Sequence, residues 1–356
     1  NVQVYAARFL DASDLLDADG DLRGSTNWID MPSPDRRGGF IARFFSEWKV
    51  ASDIYRRARG GSGKMKIVTT PFLSFLLMAP WQMRKEAWIA DVRDLTWEYR
   101  ISDSVFVRSA QALLKIWSLF ALSRASLIVT STIEERDYVA RHLPNKRVEH
   151  IANGIELPIL RELFSATGHP HGDATRPSSP VIVYAGTIGR AQGISILTKV
   201  AERTSAARYR IIGEGAEFAE ISAQITGRGI GNVELTGRIP RDRVFAEYKR
   251  ADALFMRLGR GFTTAVPSKA YEYLATGKPI IYMGSRSDAA YQLLQGFAGV
   301  YFVEDDDVEQ LAHIVGALVG LDRRSAEDNI SKLMEYTREN QVEKLRGILE
   351  SIGDPE

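Results

Sequence analysis

The segment VIVYAGTIGRAQG, residues 181 to 193, decides the fold class. A β-rich run at 181–186 ends in a loop with glycines at 186, 189 and 193, and a helical pattern begins near Ile194. Glycines let backbone N–H groups approach a ligand, and a helix N-terminus attracts phosphate. The loop is neither a G-x-G-x-x-G fingerprint nor a P-loop, because no Gly-Lys-Ser/Thr closes it. A plain turn explains one or two glycines, whereas three glycines beside Arg190 favour an anion site.

The same alternation of β-rich and helical runs extends in both directions from this segment. Strand-like runs follow at 209–213, 233–237, 253–257, 279–283 and 299–303, and others precede it at 2–6, 66–70, 87–92, 127–131 and 148–152. Strands that alternate with helices form parallel sheets covered on both faces. The pattern therefore predicts an α/β protein with two doubly wound, Rossmann-like domains that face each other across a cleft. In such sheets, ligands bind beyond the carboxyl ends of the strands.

A stretch without periodicity, SATGHPHGDATRPSSP at 165–180, separates the two halves. It is rich in Pro, Gly and Ser, which is typical of an interdomain linker. We therefore predict an N-terminal domain at 1–164, a linker at 165–180 and a second domain at 181–335. A charged helical pattern at 336–356 is expected to pack back on the N-terminal domain.

Composition and net charge exclude several classes of protein. The chain has 356 residues, of which 45% are apolar and 26% are charged, as in a globular protein with two domains. The net charge of +1 argues against a dedicated nucleic-acid binder. The absence of cysteine excludes disulfides, thiol catalysis and cysteine-based metal sites, and it fits a reducing compartment. No apolar run is long enough to span a bilayer and no signal peptide is visible, so we expect a cytoplasmic protein.

Positive charge is concentrated in residues 31–150, which hold 20 Lys and Arg against 12 Asp and Glu. Within them, VFVRSAQALLKIWSLFALSR at 105–124 is an apolar helix pattern interrupted by Arg108, Lys115 and Arg124. The simpler interpretation is a helix packed on its own domain. The sharper one is an interfacial helix that rests on anionic lipid. In that case residues 31–150 contact an anionic membrane surface, and the protein is peripheral on the inner face of the plasma membrane.

A second candidate site lies in AVPSKAYEYLATGKPI, residues 265 to 280. A helix is predicted to begin at 267 or 268 and to end at 277, which places Lys269 in its first turn. Lys269 can pair with Glu272 for roughly 0.2–0.5 kcal/mol, but a lysine at this end opposes the helix dipole by a similar amount. An anion at the helix start would make the lysine favourable and leave Glu272 free to bind hydroxyl groups. A lysine for phosphate and a carboxylate for ribose would suit a nucleotide diphosphate.

Two further loops are expected at strand ends. Arg93 and Asp94 follow the 87–92 run in DVRDLTWEY, at 91–99, so their side chains would point into the cleft. The alternative is a local ion pair that caps the next segment. In the second half, IIGEGAE at 211–217 is expected at the same sheet edge as the 186–193 loop.

Two acidic stretches are interpreted as solvated loops, and no metal site is predicted. DASDLLDADGD at 11–21 lacks the closing Glu of an EF-hand. EDDD at 304–307 has no clear strand-end placement for binding a metal-bound diphosphate.

The second half resembles the donor domain of GT-B glycosyltransferases, specifically the retaining family 4. The first half resembles the acceptor domain of that family more faintly, and the best match is to members that extend bacterial surface polysaccharides on a lipid carrier. The family's first strand and its glycine-rich acceptor loop would precede Asn1. The segments that carry the resemblance are VIVYAGTIGRAQGISIL (181–197), YRIIGEGAE (209–217), NVELTGRIPRDRVFAEYKRADALFMRL (232–258) and AVPSKAYEYLATGKPII (265–281), with IADVRDLTWE (89–98), ASLIVTSTIEERDYV (125–139) and VEHIANGIE (148–156) in the first half.

The resemblance implies that a nucleotide-diphosphate sugar is held between the domains as co-substrate, with no other cofactor and no metal required. Glu272 matches the glutamate that binds the ribose, Lys269 and the 186–193 loop would hold the diphosphate, and the backbone at 237–239 would meet the base. Asp94 would lie near the acceptor, and Arg93 would face the diphosphate or the sugar. The implied catalytic residues are Arg93, Asp94 and Lys269. The implied donor-binding residues are Gly186, Thr187, Gly189, Arg190, Gly237, Arg238, Ile239, Ser268, Lys269 and Glu272.

The implied activity is the transfer of a sugar, with retention, to the hydroxyl group of a saccharide or lipid-linked saccharide. The chain departs from the family pattern at Thr264, where the first of two glutamates usually stands, and at Thr187 and Gln192, where phosphate-binding Arg and Lys are usual. Arg93 occupies the position of a frequent histidine, and we expect it to supply charge together with Arg190 and Lys269. Two alternatives stay open: a nucleotide-sugar epimerase on the same architecture, and a non-catalytic nucleotide-sugar-binding protein.

Overall fold

Parallel strands organise both halves of the chain in the computed structural model. The structure describes residues 4–9, 26–31, 40–58, 65–69, 73–99, 104–165, 179–259, 261–318 and 326–353. The chain divides into two compact units, Asn1–His150 and Ile151–Glu356. In each unit helices separate most of the described strands, and the strands pair in parallel, which confirms the predicted α/β class with two parallel-sheet domains.

The first unit has a two-stranded and a four-stranded parallel sheet. The small sheet pairs β1 (Val4–Phe9) with β2 (Thr26–Met31). The larger sheet contains, in spatial order, β3 (Lys66–Thr69), β4 (Trp88–Val92), β5 (Leu127–Thr130) and β6 (Val148–His150). The helices are α1 (Phe40–Ala58), α2 (Leu73–Gln82), α3 (Val105–Ser123) and α4 (Ile133–His142).

Burial explains why β4 and β5 form the centre of the larger sheet. Every residue of both strands is buried, as expected for parallel strands covered on both faces. Their apolar runs made them predictable, and each strand of this sheet begins within one residue of the sequence prediction. Strand β2 was not predicted, since its Asn27 and Asp30 are poor strand formers.

The second unit contains one sheet of six parallel strands. The spatial order is β12-β11-β10-β7-β8-β9, so the order reverses between β7 and β10. A crevice outside the carboxyl ends of the strands at such a reversal is where doubly wound sheets bind ligands. The strands are β7 (Val181–Ala185), β8 (Arg208–Ile212), β9 (Val233–Gly237), β10 (Ala253–Arg257), β11 (Ile280–Gly284) and β12 (Val300–Glu304).

Helices cover both faces of this sheet. Alternate residues of β7 serve two different cores: Val183 packs in one and Ile182 in the other. The described helices of the unit are α5 (Leu157–Ser165), α6 (Ile196–Arg203), α7 (Phe218–Arg228), α8 (Arg241–Arg250), α9 (Lys269–Ala275), α10 (Ala289–Leu294), α11 (Val308–Ala317), α12 (Ala326–Met334) and α13 (Arg338–Gly353).

The boundary between the two units lies earlier in the sequence than residue 164, the predicted end of the N-terminal domain. The division falls between His150 and Ile151, and α5 packs within the second unit, where Leu160 and Leu163 share a core with Leu274 of α9. The start of α13 packs on the same segment: the Arg338 amide donates to the Ile155 carbonyl at 2.8 Å. Most of the predicted linker, 166–178, and the acidic stretch at 11–21 lie outside the described residues. Among the described helices, none has the length and apolar character needed to cross a membrane.

Candidate functional site

The predicted anion loop after β7 is held against the loop after β8. The amide of Gly186 donates to the Ile212 carbonyl at 3.0 Å, and the amide of Ile188 donates to the Glu214 carbonyl at 2.9 Å. Gly213 has a φ of 139°, and a Cβ there would collide with the Gly186 carbonyl oxygen. IIGEGAE therefore lies at the same sheet edge as the first loop, as predicted, and its first glycine is required by this close approach.

Part of the 186–193 loop keeps its backbone donors open. The amides of Gln192 and Gly193 both donate to the Gly189 carbonyl and close a turn. The amides of Thr187, Gly189 and Arg190, by contrast, donate no hydrogen bond within the described residues. The Arg190 side chain is exposed and forms no ion pair in that part of the chain. Three open N–H groups beside a cation can bind an anion.

Arg257 fixes the far end of this loop, which sequence reasoning missed. Its guanidinium donates from Nη1 to the Gly193 carbonyl at 2.6 Å, and its Nη2 pairs with Asp305 at 2.8 Å and Asp306 at 2.6 Å. The prediction that EDDD at 304–307 is a solvated loop is thus wrong for Asp305, whose side chain is only 9% exposed. Its partner stands 48 residues earlier, at the end of the apolar strand β10. An arginine that closes a fully buried strand was the available signal.

Helix α9 brings Lys269 and Glu272 to the same sheet edge. It spans Lys269–Ala275, within the predicted bounds, and buries Ala270 and Leu274, while Ser268 before it makes no side-chain capping bond. Lys269 Nζ lies 2.8 Å from Glu272 Oε2, so the ion pair weighed as the simpler interpretation is present. The Lys269 side chain is still one-third exposed, at 33%, whereas that of Glu272 is 13% exposed.

Two tyrosines that sequence reasoning did not single out position this pair. The Tyr248 hydroxyl donates to Glu272 Oε2 at 3.3 Å. Burial, followed by the charge of neighbouring groups, holds the pKa of Tyr248 well above its usual range, so it stays a donor. The Tyr273 hydroxyl accepts from the Ala185 amide at 2.9 Å and so attaches α9 to the last residue of β7. Glu272 is therefore held next to the strand that leads into the open loop.

The predicted base-binding segment, Gly237 to Ile239, follows β9 at the same edge. The Gly237 carbonyl accepts from the Gly213 amide at 2.9 Å, which joins this segment to the loop after β8. Arg238 is exposed, and Ile239 packs against the core. The second unit thus assembles the predicted donor-binding residues along the carboxyl ends of β7 to β9 and at α9.

In the first unit, Arg93 and Asp94 follow β4 but do not pair with each other. Arg93 pairs instead with Asp91, at 2.8 Å from Nη2 and 2.9 Å from Nε. The alternative interpretation, a local ion pair, therefore describes Arg93, but its partner is Asp91 and not Asp94. Asp94 accepts from the Tyr99 hydroxyl at 2.5 Å. Solvent displacement around the Asp94 carboxyl raises its pKa, and the Tyr99 hydrogen bond opposes that effect. Asp94 itself is exposed.

A buried carboxyl group underlies this loop and was not predicted. Glu135 forms a capping box with Thr132 at the start of α4, and its Oε1 has no hydrogen-bond partner among the described residues. The Ser131 hydroxyl lies 2.9 Å from Glu135 Oε2 and 3.1 Å from the Arg93 carbonyl oxygen. Burial raises the pKa of Glu135 to about 8, hydrogen bonds from Ser131 and Thr132 lower it, and the charge of Asp94 adds to the increase. The capping-box pattern T-x-x-E was the available signal.

The described residues contain no group of three or more His, Asp or Glu side chains arranged to hold a metal ion. The geometry of the second unit instead offers cations, open amides and a carboxylate. These groups can bind an anionic ligand that also carries hydroxyl groups.

Known proteins resemble this chain in sequence and in fold. Residues 172–332 match the sequence model of a family described as glycosyl transferases group 1. The putative colanic acid biosynthesis glycosyl transferase WcaI of Escherichia coli (strain K12) is 27% identical over 188 residues, which are 49% of this chain and 46% of that protein. The match thus spans about half the length of this curated relative.

Solved structures with the same fold cover most of the chain. Sucrose-phosphate synthase from Thermosynechococcus elongatus has a TM-score of 0.67 at 14% identity and covers 90% of this chain and 80% of its own. Anabaena HepE in complex with UDP has a TM-score of 0.64 at 12% identity, over 92% and 86%. A structure described as trehalose-6-phosphate from E. coli bound with UDP-2-fluoro glucose has a TM-score of 0.65 at 11% identity, over 98% and 91%. At these identities the likeness shows the fold alone.

Proposed function

We propose that this chain is a glycosyltransferase that uses a nucleotide-diphosphate sugar. The chain has the GT-B fold, and its residues 172–332 match the model of the glycosyl transferases group 1 family. The acceptor is a hydroxyl group of a saccharide, most specifically a lipid-linked saccharide in surface polysaccharide synthesis. One observation carries the proposal: Tyr273 attaches α9, with Lys269 and Glu272, to the strand that leads into the loop with the open amides of Thr187, Gly189 and Arg190.

Donor binding uses the Lys269–Glu272 pair as an exchangeable contact. A diphosphate draws Lys269 away from Glu272, because phosphate carries more negative charge than one carboxylate and presents more acceptor oxygens. Glu272 then accepts hydrogen bonds from the ribose hydroxyls, and Tyr248 keeps its carboxylate in place during the exchange. This exchange of Lys269 from Glu272 to a phosphate would make a lysine in the first turn of α9 favourable.

The 186–193 loop serves the leaving group. Open amides of Thr187, Gly189 and Arg190 and the Arg190 guanidinium face an anion without first breaking internal hydrogen bonds. Arg257 holds the loop by its far end, so the donors stay aligned as negative charge grows on the departing phosphate. Lys269 supplies the second cation, and side-chain cations and N–H groups neutralise the diphosphate without a metal.

The acceptor binds to the first unit, and exclusion of water during transfer protects the reacting sugar from hydrolysis. The acceptor oxygen forms its bond to the sugar carbon on the face from which the phosphate departs, so the configuration is retained. Its proton passes to the departing phosphate oxygen. Asp94 orients the acceptor hydroxyl, and Arg93, once drawn from Asp91, faces the diphosphate or the sugar.

The names of similar proteins support the substrate classes. The WcaI relative is assigned to colanic acid biosynthesis, and two structural neighbours hold UDP or a UDP sugar. UDP sugars are therefore the first donors to test. We place the protein in the cytoplasm, peripheral on the anionic inner face of the plasma membrane, where a lipid-linked acceptor would be available.

The test is turnover of UDP sugars by the full chain and by Lys269→Ala and Glu272→Ala. Loss of one preorganised donor to the transition state lowers kcat by about a hundredfold, which is the expected result for Lys269→Ala. Glu272→Ala is expected to raise KM for the donor. Lys344→Ala, an exposed lysine of α13, is the control and should leave both constants unchanged.

Three outcomes would contradict the proposal. Near-normal rates in both site variants would remove the site assignment. Conversion of the sugar nucleotide without any acceptor would identify an epimerase. A donor-induced rise in Tm with no turnover in any membrane extract would identify a binding protein, since tight binding raises apparent stability.

A further inference from the structure

Helix α3 of the first unit is apolar on two opposite faces. One face is buried: Ser118, Ala121 and Leu122 are 0% exposed, and Leu122 belongs to the core of the unit. The opposite face is also apolar, although a surface helix normally turns charged residues to the solvent. Packing on its own domain therefore accounts for only half of this helix.

The exposed face forms a continuous stripe, which we define as Val105, Leu113, Ile116, Trp117 and Phe120. The last four recur at spacings of three and four, so they lie on one side of the helix over two turns. Leu113 is 69% exposed and Ile116 is 66% exposed. A second indole extends the stripe onto the end of α2: Trp81 is 54% exposed and its ring meets that of Trp117 edge-on at 5.6 Å. Such a patch on a monomer marks an interaction surface.

The charges around the stripe are positive. Residues 104–133 contain no Asp or Glu. Arg108 and Arg124 are exposed on α3 and at its end, and Arg84 and Lys85 are exposed three and four residues after Trp81. None of these four cations forms an ion pair within the residues that the structure describes. Lys115, the remaining cation of α3, is held by Glu98 at 3.0 Å.

We infer that the α3 stripe docks on an anionic lipid bilayer, with its side chains in the interface and the four cations at the headgroups. The α3 stripe is then the surface through which the protein would contact the membrane in its proposed peripheral location. The inference rests on the proposed function only where it supposes a lipid-linked acceptor. Aliphatic residues bury themselves at the acyl boundary, and indole rings suit the interface because they are amphipathic. Each cation near an anionic surface adds to the attraction.

Charge decides between a bilayer and a second copy of the chain. A two-fold contact between two stripes would bring the same four unpaired cations of both copies close together without acidic partners. An anionic bilayer buries the same apolar side chains and neutralises those cations. It also accommodates a stripe that lies along one helix rather than spanning the membrane.

The test is cosedimentation of the full chain with phosphatidylcholine vesicles that contain or lack phosphatidylglycerol. We expect binding to the anionic vesicles only, and weaker binding as salt rises. Ile116→Ser should lower the partition coefficient by about tenfold, because it removes one inserted aliphatic side chain. Arg84→Gln combined with Lys85→Gln should lower it by about fivefold per charge and reduce the salt dependence.

Val342→Ser is the matched control, because Val342 is 61% exposed on α13 in the second unit. It should bind like the unchanged chain, and circular dichroism should give the same Tm for all three variants. Absence of vesicle binding at low salt, or equal binding by Ile116→Ser, would overturn the inference. The inference would also be overturned if sedimentation velocity showed that the chain self-associates and if Ile116→Ser abolished that self-association without changing vesicle binding. Because no donor is present in these assays, they fail or succeed independently of sugar transfer.

Discussion

Glu135 keeps a carboxyl group out of water directly beneath the Arg93–Asp94 loop. It is fully buried, and its Oε2 accepts hydrogen bonds from the Ser131 and Thr132 amides at the start of α4. Since burial raises its pKa to about 8, the folded protein retains a proton there that the unfolded chain has already released near neutral pH. The group therefore links the Arg93–Asp94 loop to proton uptake.

Replacing Glu135 by Gln tests this linkage. Between the ordinary glutamate pKa and about 8, the folded state binds more protons than the unfolded state, so the Glu135 contribution makes the free energy of unfolding fall as pH rises. Glu135→Gln keeps a neutral, hydrogen-bonding side chain and should flatten that slope. Urea unfolding across this pH range is the measurement. Glu149→Gln, a half-buried partner of Arg147, should leave the slope unchanged; a slope that survives Glu135→Gln would refute the assignment.

At the scale of single elements, α9 shows how a short helix can be placed by one side chain. The helix is only seven residues long, and the fully buried Tyr273 attaches it to β7 through the Ala185 amide. Tyr248 packs edge-on against Tyr273, with ring centroids 5.2 Å apart, and meets Glu272. The position of the candidate ribose carboxylate therefore depends on the hydroxyl group of a buried tyrosine.

Tyr273→Phe should destabilise the chain by about 1–3 kcal/mol, because it leaves the Ala185 amide buried without a partner. We also expect weaker donor binding, seen as a higher KM, because α9 is no longer fixed to the sheet edge. Tyr271→Phe is the control within the same helix, since the Tyr271 hydroxyl makes no hydrogen bond among the described residues. Equal unfolding midpoints for the two variants would show that the Tyr273 hydroxyl has no such role.

Local sequence predicted the elements well and their long-range contacts poorly. The apolar runs and glycine loops were sufficient for the strands of both larger sheets, and the start signal at Pro267 or Ser268 with the stop at Gly277 was sufficient for α9. Nothing local indicates that Arg257 meets Asp305, because an acidic run has the same pattern whether it is solvated or paired. The cleft, the retention of configuration and the roles of the site residues stay predictions.

At the scale of the whole molecule, the second unit is closed by contact between its two ends. Ile155 and Thr337 form a parallel β-bridge, and the Ala152 amide donates to Gln341 Oε1 at 2.8 Å. The Asn-Gly turn just before is part of this closure: Gly154 has a φ of 59°, and a Cβ there would collide with the Tyr336 carbonyl oxygen. The C-terminal helix was expected to pack on a predicted N-terminal domain at 1–164; it contacts Ala152 and Leu157, which belong to that predicted range but lie in the second unit.

Gly154→Ala should therefore destabilise the second unit by more than the roughly 1–2 kcal/mol that a left-handed conformation alone costs. Gly227→Ala is the matched control, because Gly227 lies in α7 with no atom within 4 Å of an added Cβ. It should be neutral or stabilise by about 0.5–1 kcal/mol. Urea unfolding followed by circular dichroism measures both, and equal midpoints would contradict the closure.

The same closure sets the order in which the chain can fold as the ribosome makes it. Leu157 and Glu339 are hydrogen-bonded although 182 residues separate them. At the usual rates of synthesis, roughly ten to forty seconds pass between their emergence. The four-stranded sheet of the first unit can form during that interval, and α5 can pack on α9 once residue 275 has emerged. The amides of Ala152 and Leu157, by contrast, gain their side-chain acceptors only when α13 has been translated. A chain that ended near residue 330 would therefore lack these hydrogen bonds.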